Sequence, residues 1–105
     1  MAENPKYKVI VSDRAKRMLG THMRFIAQVS KDAASAKKKK LMGAMRSLSL
    51  MPQRFPFFEE MYVTPNKYHK MFVEKWYLIL YQIQDDTVYI EYILDCRRDY
   101  SWLIH

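Results

Sequence analysis

The chain has 105 residues, half of them hydrophobic and 28% charged. That balance excludes a disordered chain and fits one globular domain over 1–105, whose core needs neither disulfides nor a structural metal. Its apolar runs fall far short of the ~20 residues of a membrane-spanning helix, and Met1-Ala2-Glu3-Asn4-Pro5 lacks an apolar signal core, so a cytoplasmic protein with no membrane partner is expected.

Residues 6–12 open the chain with Tyr7, Val9 and Val11 alternating against Lys6, Lys8 and Ser12, the pattern of a strand buried mostly on one side. The period then changes. Ala15, Leu19, His22, Ile26 and Val29 recur at helical spacing behind a Ser12 or Asp13 cap, which predicts a helix over 13–30. After the polar break Ser30-Lys31-Asp32, the residues Ala34, Leu41, Met45 and Leu48 mark a second amphipathic helix that Pro52 ends, and so short a break forces an antiparallel hairpin. The chain's two glycines, Gly20 and Gly43, fall inside these helices, where each costs about 1 kcal/mol relative to alanine. Either they stand level with one another and let the backbones approach closely, or they are tolerated on an exposed surface.

Residues 51–67 hold Pro52, Pro56 and Pro65 with Phe55, Phe57 and Phe58 between them, and read as an ordered crossing loop. Strands follow over 68–74, 76–84 and 87–95. Asp85-Asp86 joins the last two in a tight hairpin that pairs Gln84 with Thr87 and Ile83 with Val88. In an unbroken register one face collects Tyr77, Ile79, Tyr81, Ile83, Val88, Ile90, Tyr92 and Leu94, the expected helix-facing core. Trp76, Leu78, Leu80, Gln82, Thr87, Tyr89, Glu91, Ile93 and Asp95 then share the other face. That face is too apolar for a merely solvated sheet, and either a partner or the Phe-rich loop together with Trp102-Leu103-Ile104 covers it.

Charge is regional. Residues 1–51 carry 12 basic and 3 acidic side chains, net +9, whereas 52–105 carry 6 and 8, net −2. Such a field attracts nucleic acid or an acidic protein. The run Lys37-Lys38-Lys39-Lys40 fans around a helix, because consecutive residues are ~100° apart, and reads as a solvated face rather than one phosphate-tracking stripe. The lone Cys96 reads as a small semi-buried residue, and His22, on the apolar helix stripe, as structural. No His/Cys/Asp/Glu grouping has metal-ligand spacing and no Gly-rich phosphate loop exists, so neither metal nor cofactor is expected.

The order of these elements resembles the RelE/ParE superfamily, the toxins of bacterial type II toxin-antitoxin systems. The likeness is carried by residues 7–12 with Arg14-Ala15, by Leu48 with Met51-Pro52, by residues 76–83, and by Ile93-Leu94-Asp95-Cys96-Arg97-Arg98-Asp99. It implies an α+β domain: an N-terminal strand, an antiparallel helix hairpin, and a three-stranded antiparallel meander, with the hairpin on one sheet face and a cleft on the other. It also implies a toxin that arrests growth until a cognate acidic antitoxin covers it, with operator DNA bound only through that complex. The apolar sheet face then assigns antitoxin contacts to Trp76, Leu78, Leu80, Tyr89 and Ile93.

The superfamily contains ribosome-dependent messenger-RNA endonucleases and poisons of DNA gyrase. RNA cleavage needs a base for the 2′-hydroxyl, cations for the phosphorane and an acid for the leaving oxygen. By resemblance Lys70, His69 and Arg98 are the candidates for those roles. His69 also reads as a core or rim histidine, Lys70 as a solvated strand lysine, and Arg97 and Arg98 as ion-pair partners of Asp95 and Asp99. RelE-like endonucleases usually place an arginine after the aromatic at position 77, where this chain has Leu78, and a leucine cannot neutralise a phosphate. Residues 73–81 look more like ParE-type sequences, which favours the gyrase poison over the endonuclease. A binding module without toxicity is the third reading.

Overall fold

The computed structural model describes residues 6–59 and 64–97. The elements are β1 (Lys8–Val11), α1 (Asp13–Ala27), α2 (Lys31–Ser47), a 3-10 turn (Pro52–Arg54), β2 (His69–Val73), β3 (Tyr77–Gln84) and β4 (Thr87–Asp95). The strands form one sheet in the order β1-β4-β3-β2. Neighbours are antiparallel except β1, which joins β4 in parallel with Lys8 opposite Thr87 and Val11 opposite Ile90. The expected α+β plan is therefore present, with the N-terminal strand added to the outer edge of the C-terminal hairpin.

Both helices start on serines. Ser12 Oγ accepts from the Ala15 N–H at 3.0 Å and Ser30 Oγ from the Ala33 N–H at 3.1 Å. Ser30 explains why α1 stops at Ala27 rather than at 30: it is extended, with φ −154°, and caps the next helix instead of continuing the first. α2 itself ends at Ser47, ahead of Pro52, which opens the 3-10 turn, and Arg54 folds back to donate to the Ser47, Leu50 and Met51 carbonyls between them.

The core lies between the helix pair and one sheet face. Ala15, Leu19, Leu41, Met45 and Leu48 pack with Met71, Val73, Tyr77, Ile79, Tyr81, Val88, Ile90 and Ile93. Tyr81, fully buried, donates its hydroxyl to the Pro52 carbonyl at 2.6 Å. Burial pushes its phenol up to about 12 against the lowering effect of Arg54, so it stays a donor at any physiological pH. At the far end, Lys37 and Lys40 place their ammonium groups 3.0 and 3.3 Å from Glu74 Oε1 in the β2–β3 turn. Their hydrogen bonds hold the Glu74 carboxyl below its ordinary range. Half of the lysine run is thus tied to the sheet, while Lys38 and Lys39 are exposed.

The hairpin register holds from Gln84–Thr87 to Tyr81–Ile90 and then breaks. Leu80 pairs with Tyr92, so Glu91 is passed over as a β-bulge. One extra residue turns every later side chain of β4 to the opposite face. Ile93 and Asp95 consequently point to the helix side, and Tyr92 and Leu94 to the other, the reverse of the unbroken alternation expected from the sequence.

Among the described residues, the edge of β4 past Ile90 has no strand beside it, because β1 has ended. Helix α1 takes over. The Ser12 N–H donates to the Ile90 carbonyl at 2.8 Å, Ser12 Oγ to Glu91 O at 3.4 Å, and His22 Nε2 to Ile93 O at 2.7 Å. His22 is buried and meets the Tyr77 ring edge to face at 5.6 Å, so its role is structural, as the apolar stripe indicated. Gly20 and Gly43 do not mark a close helix contact: a Cβ on either would meet only a side chain of its own helix, Arg24 or Arg46. His22→Leu, similar in volume, is expected to lower stability by roughly 1–3 kcal/mol by stranding the Ile93 carbonyl, measured by urea denaturation.

Candidate functional site

The sheet face away from the helices divides into two halves. Around β2 and the adjoining parts of β3 and β4, Leu78, Leu80 and Leu94 pack with Phe58 and Tyr68 of the crossing loop, and all five are buried. The loop is pinned there by hydrogen bonds from Phe58 N to Tyr68 O at 2.7 Å and from Lys70 N to Pro56 O at 2.9 Å. Burial first, then the Glu91 charge, pushes the Tyr68 phenol up to about 12. Tyr92 stands edge-on to Tyr68 at 5.8 Å under the Arg14 guanidinium, 4.7 Å from the ring centre.

The half nearer β1 stays open. Ile10, Ser12, Gln84, Tyr89, Ile90 and Glu91 line a shallow groove of about 400 Å³. Its floor is apolar, with Ile10 44% exposed, and Glu91 is fixed by a short hydrogen bond from Gln82 Nε2.

The residues expected to contact an antitoxin separate accordingly. Leu78 and Leu80 are sealed beneath the loop, and Ile93 is buried on the helix side by the bulge. None of the three presents surface to a partner. Trp76 is 42% exposed and Tyr89 half-buried beside the groove.

Of the candidate RNA-cleavage residues, the two that are described, His69 and Lys70, are not brought together. His69 and Lys70 are neighbours on β2 and therefore point to opposite faces. His69 pairs across the sheet with Tyr81 on the helix side. Its ring lies between Tyr81, stacked at 5.3 Å, and Phe57 at 4.2 Å, and its Nδ1 donates to the Phe55 carbonyl at 2.7 Å. That makes it a loop anchor. Lys70, opposite Leu80, is half-buried on the outer face. Arg98, with Asp99, Tyr100 and Trp102-Leu103-Ile104, lies outside the described residues.

At the end of the sheet, Asp95 and Arg97 form the ion pair the sequence offered as one reading. Arg97 donates to Asp95 through its backbone N–H at 2.9 Å, Nε at 3.1 Å and Nη2 at 3.1 Å. Burial alone would raise the Asp95 carboxyl, but these bonds outweigh it and hold the group below its ordinary range. The guanidinium also lies 5.1 Å from the centre of the Trp76 ring, with Lys75 Nζ at 5.7 Å. No group of three or more His, Cys, Asp or Glu suited to a metal occurs among the described residues, and no described helix is long and apolar enough to cross a membrane.

A family model described as ParE toxin of type II toxin-antitoxin system, parDE, matches residues 9–100. Among solved structures the chain is similar to one from the chromosomal ParDE TA system of P. aeruginosa, with a TM-score of 0.70 at 10% sequence identity, over 86% of this chain and 96% of that one. At that identity the likeness is one of fold. No protein among the curated ones matches the sequence.

The Asp95–Arg97 pair sets a pH dependence. A carboxyl held low contributes stability above its unfolded value and loses it as pH falls through the folded value. Arg97→Leu removes the two side-chain bonds and leaves the backbone N–H bond and the burial, so we expect a loss of about 1–2 kcal/mol at neutral pH, modest because the guanidinium is half-exposed. The deficit should shrink on acidification as Asp95 protonates, which urea denaturation across acidic pH would check.

Proposed function

This chain belongs to the ParE toxin family of type II toxin-antitoxin systems, and we infer that its target is DNA gyrase rather than ribosome-bound messenger RNA. The observation that carries the reading is Leu78. At the position where RelE-like endonucleases usually hold an arginine, this chain has a leucine with no exposed surface, beneath Phe58 and Tyr68. A phosphate there would meet hydrocarbon. His69, locked between Phe57 and Tyr81 on the helix side, is equally removed from any substrate that reaches Lys70.

A toxin of this family has an antitoxin as its partner. The groove beside Tyr89, with Ile10 exposed along it, suits the apolar side chains of an extended or helical antitoxin segment. Trp76, at the far end of the same sheet, offers a second anchor of the amphipathic aromatic kind that dominates interface energies. The net +9 of residues 1–51 steers an acidic, disordered segment toward them. Growth arrest while the antitoxin is absent, and operator contact only through the complex, complete the reading.

Induced expression, with messenger-RNA integrity and gyrase supercoiling followed side by side, tests it. Supercoiling is expected to fall while transcripts stay intact. Ribosome-dependent cleavage that disappears on Lys70→Ala or Arg98→Ala would replace the gyrase reading with the endonuclease. For the partner surface, Tyr89→Ala and Trp76→Ala are each expected to weaken antitoxin binding by roughly 1–3 kcal/mol, judged by alanine scans of buried interface aromatics; isothermal titration would measure it.

A further inference from the structure

The outer face of the helix hairpin carries exposed cations, of which Arg24 donates to Thr21 Oγ1 at 3.2 Å. Arg17 and Arg24 on α1 are seven residues apart, as are Lys39 and Arg46 on α2. Two turns separate the members of each pair, so each forms a row of two cations on one side of its helix, spaced by about 10 Å. Arg24 and Lys38 border the same crevice between the helices, floored by Met23, Ala27 and Ala34. Because the helices run antiparallel, Arg17 and Arg46 stand at about the same level two turns further along, Arg17 on the flank of α1 with Arg14, Met18 and Thr21. All five cations are exposed. The ion pairs found among the described residues engage Lys37, Lys40 and Arg97 and none of these five.

Between the two levels lie Gly20 and Gly43. A Cβ at Gly20 would meet only the Arg24 guanidinium, at 3.2 Å, and one at Gly43 only that of Arg46, at 3.9 Å. Both glycines therefore face outward, beneath guanidinium groups. They cost helix stability and leave half-buried backbone with no side chain of its own between the cations, where a bulky anion that draws the overlying guanidinium groups to itself can approach closely.

We propose that this saddle docks the phosphate backbone of duplex DNA, an inference that rests on the gyrase reading for the DNA, since the target enzyme holds a duplex while it works. The toxin engages that duplex through residues opposite the sheet groove offered to the antitoxin. Spread cations around a glycine floor carry no base-reading groups, so the contact is to backbone and independent of sequence.

The test is fluorescence anisotropy of the purified full chain with a short labelled duplex over a salt series. Arg24→Glu/Lys39→Glu is expected to weaken binding about tenfold or more and to flatten the slope of log K against log salt by about two, since each phosphate contact contributes nearly one. Gly43→Gln keeps every charge and improves helix propensity, so a severalfold loss of affinity in a chain at least as stable would report the bare floor. Lys67→Glu/Lys75→Glu, on the crossing loop and the β2–β3 turn, is the charge-matched control, expected to change affinity much less. Equal loss with Lys67→Glu/Lys75→Glu would reduce the attraction to net charge and overturn the proposal, as would a poly-glutamate competitor that binds the same residues more tightly than the duplex. If the double variant keeps its duplex affinity while the wild-type chain inhibits gyrase, the proposal fails and the gyrase reading stands. If wild-type chain binds the duplex through these residues yet leaves supercoiling untouched, the saddle stands and the gyrase reading fails.

Discussion

Strand β4 must satisfy hydrogen bonds along both edges, and its outer neighbour β1 is only four residues long. Much of the architecture follows from that shortfall. Beyond Ile90 the carbonyls of β4 are met by Ser12 and His22 instead of a strand, which fixes where α1 starts and how it lies across the sheet. Ser12 serves twice, as the cap of α1 and as the last partner of β4. A buried histidine on the apolar stripe is the counterpart of a missing strand residue.

The bulge at Glu91 falls where β1 gives way to α1. It turns Ile93 into the core and gives Leu94 and Tyr92 to the opposite face. There the crossing loop completes a second, smaller apolar cluster around Phe58 and Tyr68. The sheet is thus packed on both sides over part of its area and open over the rest, and the division decides which apolar residues can serve a partner.

Most of the fold was legible because its signals are local and periodic. Alternation located the strands to within a residue or two, Pro52 and Ser30 punctuated the helices, and Asp85-Asp86 set the hairpin through Tyr81–Ile90. Beyond that point period-two reading failed, since residues 87–95 alternate as well in the unbroken register as in the bulged one. Nothing local marks Glu91 as the extra residue; the cause lies 79 residues away, at Ser12. Ile93 was misplaced as an antitoxin position because the bulge changed its side, and Leu78 and Leu80 because sequence gives the side of a strand but not what lies over it. Reading His69 and Lys70 as one site overlooked the pleat that parts neighbours. The lysine run proved neither wholly solvated nor a stripe, because Glu74, met only in the folded chain, claims two of its four members.

The pairing of residues 8–11 with 87–90 joins the first strand to the last. During translation the basic helix hairpin emerges long before the strand that closes the sheet, and the Val9, Val11 and Leu48 side chains wait for Val88 and Ile90 to complete their core. Contacts this distant in sequence are slow to form. Assembly of the sheet is consequently deferred until residues 87–90 have been made, well after the helix hairpin, so the open groove beside Tyr89 comes into being late in folding.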